Sequence, residues 1–171
     1  MRKNPTQLGD ESLAEAFSRL LHQAIALQEA GGSTHHARQV TEFSYLLTPK
    51  QLERIRRICR QMNWPVPQCR GIRIDLQAIL HPLHARETKD RCTPQETLQI
   101  LINAYSAYSQ VGLNKPKHGQ GILFNTGRKV RIGKGSYYAV AIVRVCSAEG
   151  KTYLAPVTAY HATEAKIRNI S

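Results

Sequence analysis

The chain has 171 residues, of which 42% are apolar, enough to bury a core and too apolar for wholesale disorder. Its 24 Lys and Arg stand against 12 Asp and Glu, and the net charge of +12 asks for an acidic partner: nucleic acid first, ahead of an acidic protein or an anionic membrane surface. The opening MRKNPTQLGDES lacks the apolar stretch of a secretory signal, and the longest apolar run, YYAVAIVRV, is too short for a bilayer and contains Arg144; the expectation is a cytoplasmic protein without a membrane segment.

Residues 10 to 30 predict an amphipathic helix, with Leu13, Phe17, Leu20, Leu21, Ala24 and Leu27 recurring at helical spacing. GGSTHHARQ then reads as a loop. A second helix starts at Thr48, with Pro49 at its first position and Gln51 completing a capping box. Its inner face is Leu52, Ile55, Ile58, Cys59 and Met62, and its outer face is Lys50, Arg54, Arg56, Arg57 and Arg60. NWPVPQ ends it, because two prolines cannot continue a helix, and divides an N-terminal helical region (1–70) from a C-terminal α+β domain (71–171).

GIRIDLQAILHPLHARETKDR begins as a strand and turns helical from Asp75, with Pro82 marking a kink or the start of a second helical piece. TPQETLQILINAYSAYSQ is a further helix, with a capping box at Thr93 and Glu96. LNKPKHGQG is turn-rich. From residue 121 onward, β-branched and aromatic runs broken by N-T-G, G-K-G and A-E-G-K predict three or four antiparallel strands joined by hairpins. Helices first and sheet second give an α+β fold, with helices packed on one face of a small antiparallel sheet. The tail TEAKIRNIS is expected to be exposed or lightly packed.

Cys59, Cys69, Cys92 and Cys146 form no C-x-x-C pair and match no zinc pattern, so they read as reduced thiols. His81 and His84 could share a helix face but lack further ligands nearby, and no metal or other cofactor is expected. The chemistry this chain is stocked for is cleavage of RNA, which carries its own 2′-OH nucleophile. Histidine suits the proton transfers, with an unperturbed pKa of about 6.5, and Lys or Arg suits the anionic phosphorane. Hydroxyls can position a phosphate or relay a proton. The candidates are His81, His84, Arg131, Lys134, Thr158, Tyr160 and His161. Arg86, Lys89, Lys115, Lys117, Arg54 and Arg57 are candidates for binding nucleic acid. G-K-G at 133–135 belongs to a hairpin, since G-x-x-x-x-G-K-[ST] is absent.

A helix carrying H-x-x-H-A-R, a second helix, basic hairpins and a late strand reading VTAY, over residues 71 to 163, resemble the barnase/EndoU/colicin/RelE-like nuclease superfamily, closest to its phage, mobile-element and polymorphic-toxin members. The resemblance implies a metal-independent ribonuclease toxin or effector, with tRNA a candidate target and an acidic immunity or antitoxin protein as partner. It implies His84 or His81 as base, Arg131 or Lys134 at the phosphate, and Thr158 and Tyr160 as late-strand hydroxyls, with His161 able to replace the early imidazole. The alternatives are a non-catalytic basic nucleic-acid-binding protein, for which an aromatic content of 6% offers little stacking platform, and a nucleotide-dependent transferase such as an ADP-ribosyltransferase.

Overall fold

Thr48 and Thr93 start their helices by the same chemistry. Each side-chain oxygen accepts the backbone N–H three residues on, and the residue there, Gln51 or Glu96, accepts the cap residue's own N–H in return. The computed structural model describes residues 10–29, 42–114 and 121–170. Its helices are α1 (Asp10–Glu29), α2 (Pro49–Gln61), α3 (Leu76–Asp90), α4 (Pro94–Ala104) and α5 (Glu164–Ile170). Its strands are β1 (Glu42–Leu46), β2 (Gly71–Asp75), β3 (Gln110–Leu113), β4 (Gly121–Ile132), β5 (Gly135–Ala148) and β6 (Lys151–Ala162). The expected α+β class holds. The candidates Lys115 and Lys117, and the histidines His35, His36 and His118, lie outside the described residues.

All the strands join one sheet in the order β1-β2-β6-β5-β4-β3, antiparallel except where β2 meets β6 at Ile72 and Leu154. Two tight turns join the long strands. Gly133, at φ 58°, turns β4 into β5, and Glu149 and Gly150, at φ 53° and 77°, turn β5 into β6. Alternation along the strands separates two faces. Ile72, Ile74, Phe124, Ala139, Ala141, Val143, Val145, Leu154 and Ala159 point to one face and are buried with α1, α3 and α4. Leu123, Val140, Ile142 and Ala162 point to the other, where Tyr160 and Ile167 of α5 pack on them. We call this second side the distal face.

The division at residue 70 does not separate two bodies. β1 pairs with β2 along its length, and α1 packs on α3 and α4. β1 itself, EFSYL, occupies a stretch to which the sequence assigned no element. Its alternation is short, but Tyr45 is buried and Phe43 packs on the core. α3 is continuous through Pro82, so no second helical piece begins there. The ring of Pro82 is buried and the lost N–H is the only donor the helix forgoes at that position.

Gln51 does more than cap. Its buried amide oxygen accepts from Tyr45 Oη at 2.9 Å and from the Thr48 N–H at 3.1 Å, while its Nε2 donates to the carbonyls of Ser106 and Ser109, both at 2.9 Å. One side chain thus ties β1, the start of α2 and the loop before β3. Gln51→Ala is expected to destabilise the protein by about 2–3 kcal/mol, because buried partners lose their bonds with no water to replace them. Urea unfolding of the variant checks this, and a loss below about 0.5 kcal/mol would show that these groups find other partners.

Candidate nucleic-acid interface

β2 stops at Asp75, whose carboxylate caps α3 by accepting the Ala78 N–H at 3.0 Å. β2 pairs with β6 only at Ile72 and Leu154, and beyond that point the two strands part, with α3 packed on β6. Pro156, which has no N–H to give a ladder, falls at this point, where the β5–β6 register slips. The departure leaves a groove of about 1030 Å³ between α3, β2 and β6. His81 lines it, together with Arg70, Arg73, Lys151, Tyr153 and Val157. The groove carries three basic side chains and one carboxylate, Asp75. The Arg73 guanidinium also pairs with Glu42 on β1, and Arg70 Nε donates to the Leu47 carbonyl at 2.6 Å, so each guanidinium is held through its Nε. Tyr153 is 40% exposed, an aromatic face available to a base.

The groove continues onto the distal face. β4, β5 and β6 carry Arg128, Lys129, Arg131, Arg144 and Lys151 and no Asp or Glu. Register sets Arg144 beside Ala155, Ile142 beside Thr158, Val140 beside Tyr160, Lys129 beside Tyr138 and Arg131 beside Ser136. Lys129, Arg131, Arg144, Thr158 and Tyr160 therefore share one face. The Lys129 ammonium lies 5.3 Å from the Tyr138 ring, and Lys166 lies 4.6 Å from that of Tyr160. Burial pushes the Tyr160 phenol up, and the Arg86 charge opposes it.

The two early histidines part company. α3 turns Ile79, Leu83 and Arg86 inward, and both His81 and His84 are exposed, but only His81 lines the groove. His84 sits on the solvent side of the helix. His161 and Tyr160, adjacent in sequence, point to opposite faces. His161 pairs with Ala139 on the helical side, where the Tyr137 ring meets its imidazole edge-on at 4.8 Å and Cys92 Sγ lies 3.9 Å from its Nδ1. Burial pushes its pKa down, with Asp90 pulling the other way. Burial raises the Cys92 thiol, and Glu96 and Asp90 add to that. Glu96 is held below the usual carboxylate range by the N–H groups of Thr93 and Gly133.

The other basic candidates scatter. Arg86 is only 9% exposed and is paired with Asp90, so it is committed inside the fold rather than offered to a phosphate. Its guanidinium still reaches to 5.8 Å from the Tyr160 ring. Lys89 is exposed in the last turn of α3, and Lys134 sits in the β4–β5 turn. Arg54 and Arg57 lie on α2 beside β3, where Arg57 pairs with Glu53 at 3.2 Å and Arg54 Nε donates to the Val111 carbonyl at 3.4 Å. Residues that sequence reasoning passed over are Arg70, Arg73, Lys151 and Tyr153. Alternation along GIRID puts Arg73 opposite Ile72 and Ile74, a signal that could have marked its face but not its neighbours. Among the described residues no helix is long and apolar enough to cross a membrane. No protein-family model, curated protein or solved structure matches the chain.

Proposed function

We propose that this protein is a metal-independent endoribonuclease that takes single-stranded RNA into the groove between α3, β2 and β6. The observation that carries the reading is the meeting of one imidazole, His81, with the cations Arg70, Arg73 and Lys151 and an exposed ring, Tyr153, in a single cleft. In the reaction, the His81 imidazole removes the 2′-OH proton, the oxygen attacks the adjacent phosphorus, and the P–O bond to the 5′-oxygen of the next nucleotide breaks, that oxygen taking a proton from water in the open groove. The product is a 2′,3′-cyclic phosphate. Basic side chains offset the charge that grows on the phosphorane. The neighbouring cations of the distal face give the strand a track on either side of the cut. The resemblance of residues 71 to 163 to the barnase/EndoU/colicin/RelE-like nucleases supports the same reaction, with tRNA as candidate target and an acidic inhibitor as candidate partner.

Incubating the purified protein with total tRNA in EDTA is expected to give discrete fragments ending in cyclic phosphate. Intact RNA of retarded mobility would overturn cleavage and leave the second reading, a non-catalytic binder. That reading is favoured by Lys129 and Arg131, which lie on acid-free strands without an imidazole beside them.

A further inference from the structure

The geometry points to a zinc site at the junction of α3, α4 and β6, on the helical side of the sheet and separate from the groove. Asp90, Cys92 and His161 each offer a ligand atom there, and these atoms all lie within 4.8 Å of one another. The chain is built locally to bring them together. Arg91 adopts a left-handed conformation, φ 54°, and closes α3, with its N–H donating to the Glu87 carbonyl and the Cys92 N–H to that of Arg86 at 3.0 Å. This tight stop leaves Asp90 on the last turn and Cys92 just past it, both directed at the end of β6. His161 arrives from the strand with its ring steadied by Tyr137.

The ligand chemistry selects the ion. One thiolate, one imidazole and one carboxylate form a borderline-soft set, which suits Zn²⁺ and does not suit Mg²⁺ or Ca²⁺. Ordinary Zn–S and Zn–N bonds in a tetrahedron set sulfur and nitrogen about 3.6 Å apart. The observed separation of Cys92 Sγ and His161 Nδ1 is 3.9 Å, so this pair needs only a small adjustment and the Asp90 carboxylate a larger one, within the 4.8 Å that spans the three atoms. The charges of a thiolate and a carboxylate balance those of the ion. Arg86 holds Oδ2 of Asp90, which leaves Oδ1 for the metal and orients the carboxylate as an outer-shell partner does. Three protein ligands leave a fourth position for water. The bound ion would pin the α3–α4 corner to the last strand.

The test uses the full chain. Zinc measured against a chromophoric chelator is expected to bind one to one. Cobalt(II) in its place is expected to show tetrahedral visible bands and a thiolate-to-cobalt charge-transfer band. Cys92→Ser and His161→Ala remove these bands, while Cys69→Ser and Cys146→Ser keep them. Asp90→Asn, which keeps an amide oxygen within reach of Arg86, weakens zinc binding by at least roughly the 10–100-fold that loss of an outer-shell partner costs, with circular dichroism checking that the fold is kept. Failure to bind zinc stoichiometrically, or cobalt bands that survive Cys92→Ser, would overturn the site. Either result leaves the ribonuclease reading untouched, because that reading is tested in EDTA.

Discussion

His81→Ala is expected to lower the rate of RNA cleavage by about 10²–10⁴-fold, the usual contribution of a positioned acid or base. RNA affinity should change little, since one imidazole is lost from a groove whose three cations remain. His84→Ala, three residues on, should leave both rate and affinity near those of the wild type. The contrast follows from the helix. α3 packs Ile79, Leu83 and Arg86 inward, and of its two exposed histidines only His81 lines the cleft. Lys151→Ala should do the opposite of His81→Ala. It should weaken binding and flatten the dependence of log K on log salt by about 0.7, the slope of one single-strand phosphate contact. Single-turnover cleavage and salt-dependent binding on the same RNA separate the two effects. Loss of cleavage in His84→Ala with retention in His81→Ala would move the imidazole out of this groove and sink the assignment.

Phe17→Ala is expected to cost about 3–5 kcal/mol of global stability. Phe17 is fully buried, its ring meeting Phe43 edge-on at 4.9 Å and stacking on Tyr105 at 5.9 Å. Tyr105 in turn meets Tyr45 and Phe124, both at 5.9 Å, so one aromatic cluster joins α1 to β1, β4 and the end of α4. Burial pushes the Tyr105 phenol far above its ordinary value, a sign of how dry this centre is. Removing a ring there leaves a cavity that rigid neighbours cannot close. Urea unfolding followed by circular dichroism and by Trp64 fluorescence should shift together. A shift confined to part of the signal would show α1 unfolding alone, as an independent N-terminal region would.

The helices were legible because their signals are local. The apolar spacing of α1, the capping boxes at Thr48 and Thr93, and the Pro-rich end of α2 each lie within a few residues, and the structure places helices at all of them. The turns at Gly133 and Glu149–Gly150 were legible for the same reason. β1 was not, because five residues of weak alternation become a strand only when β2 is present to pair with them. The separation at residue 70 failed likewise, since the prolines that end α2 say nothing of the strand that later pairs across them.

For the site, residue types were legible and proximity was not. An excess of cations, two histidines in ILHPLHAR and hydroxyls in VTAYHA mark RNA chemistry as the first expectation from the sequence. Which imidazole faces which cation depends on where β2 parts from β6, because the groove opens between them there. Strand alternation sends Tyr160 and His161 to opposite faces however close they stand in the chain. By itself, then, the sequence determined α1 to α4, the β4–β5 and β5–β6 turns and the charge, which arise between near neighbours, whereas the expected break at N-T-G is an irregularity inside β4 and the tail carries α5. Only the tertiary structure decided that His81 joins Arg70, Arg73, Lys151 and Tyr153, and that Asp90 and Cys92 meet His161, because those contacts depend on strand order and helix phase, which no short stretch encodes.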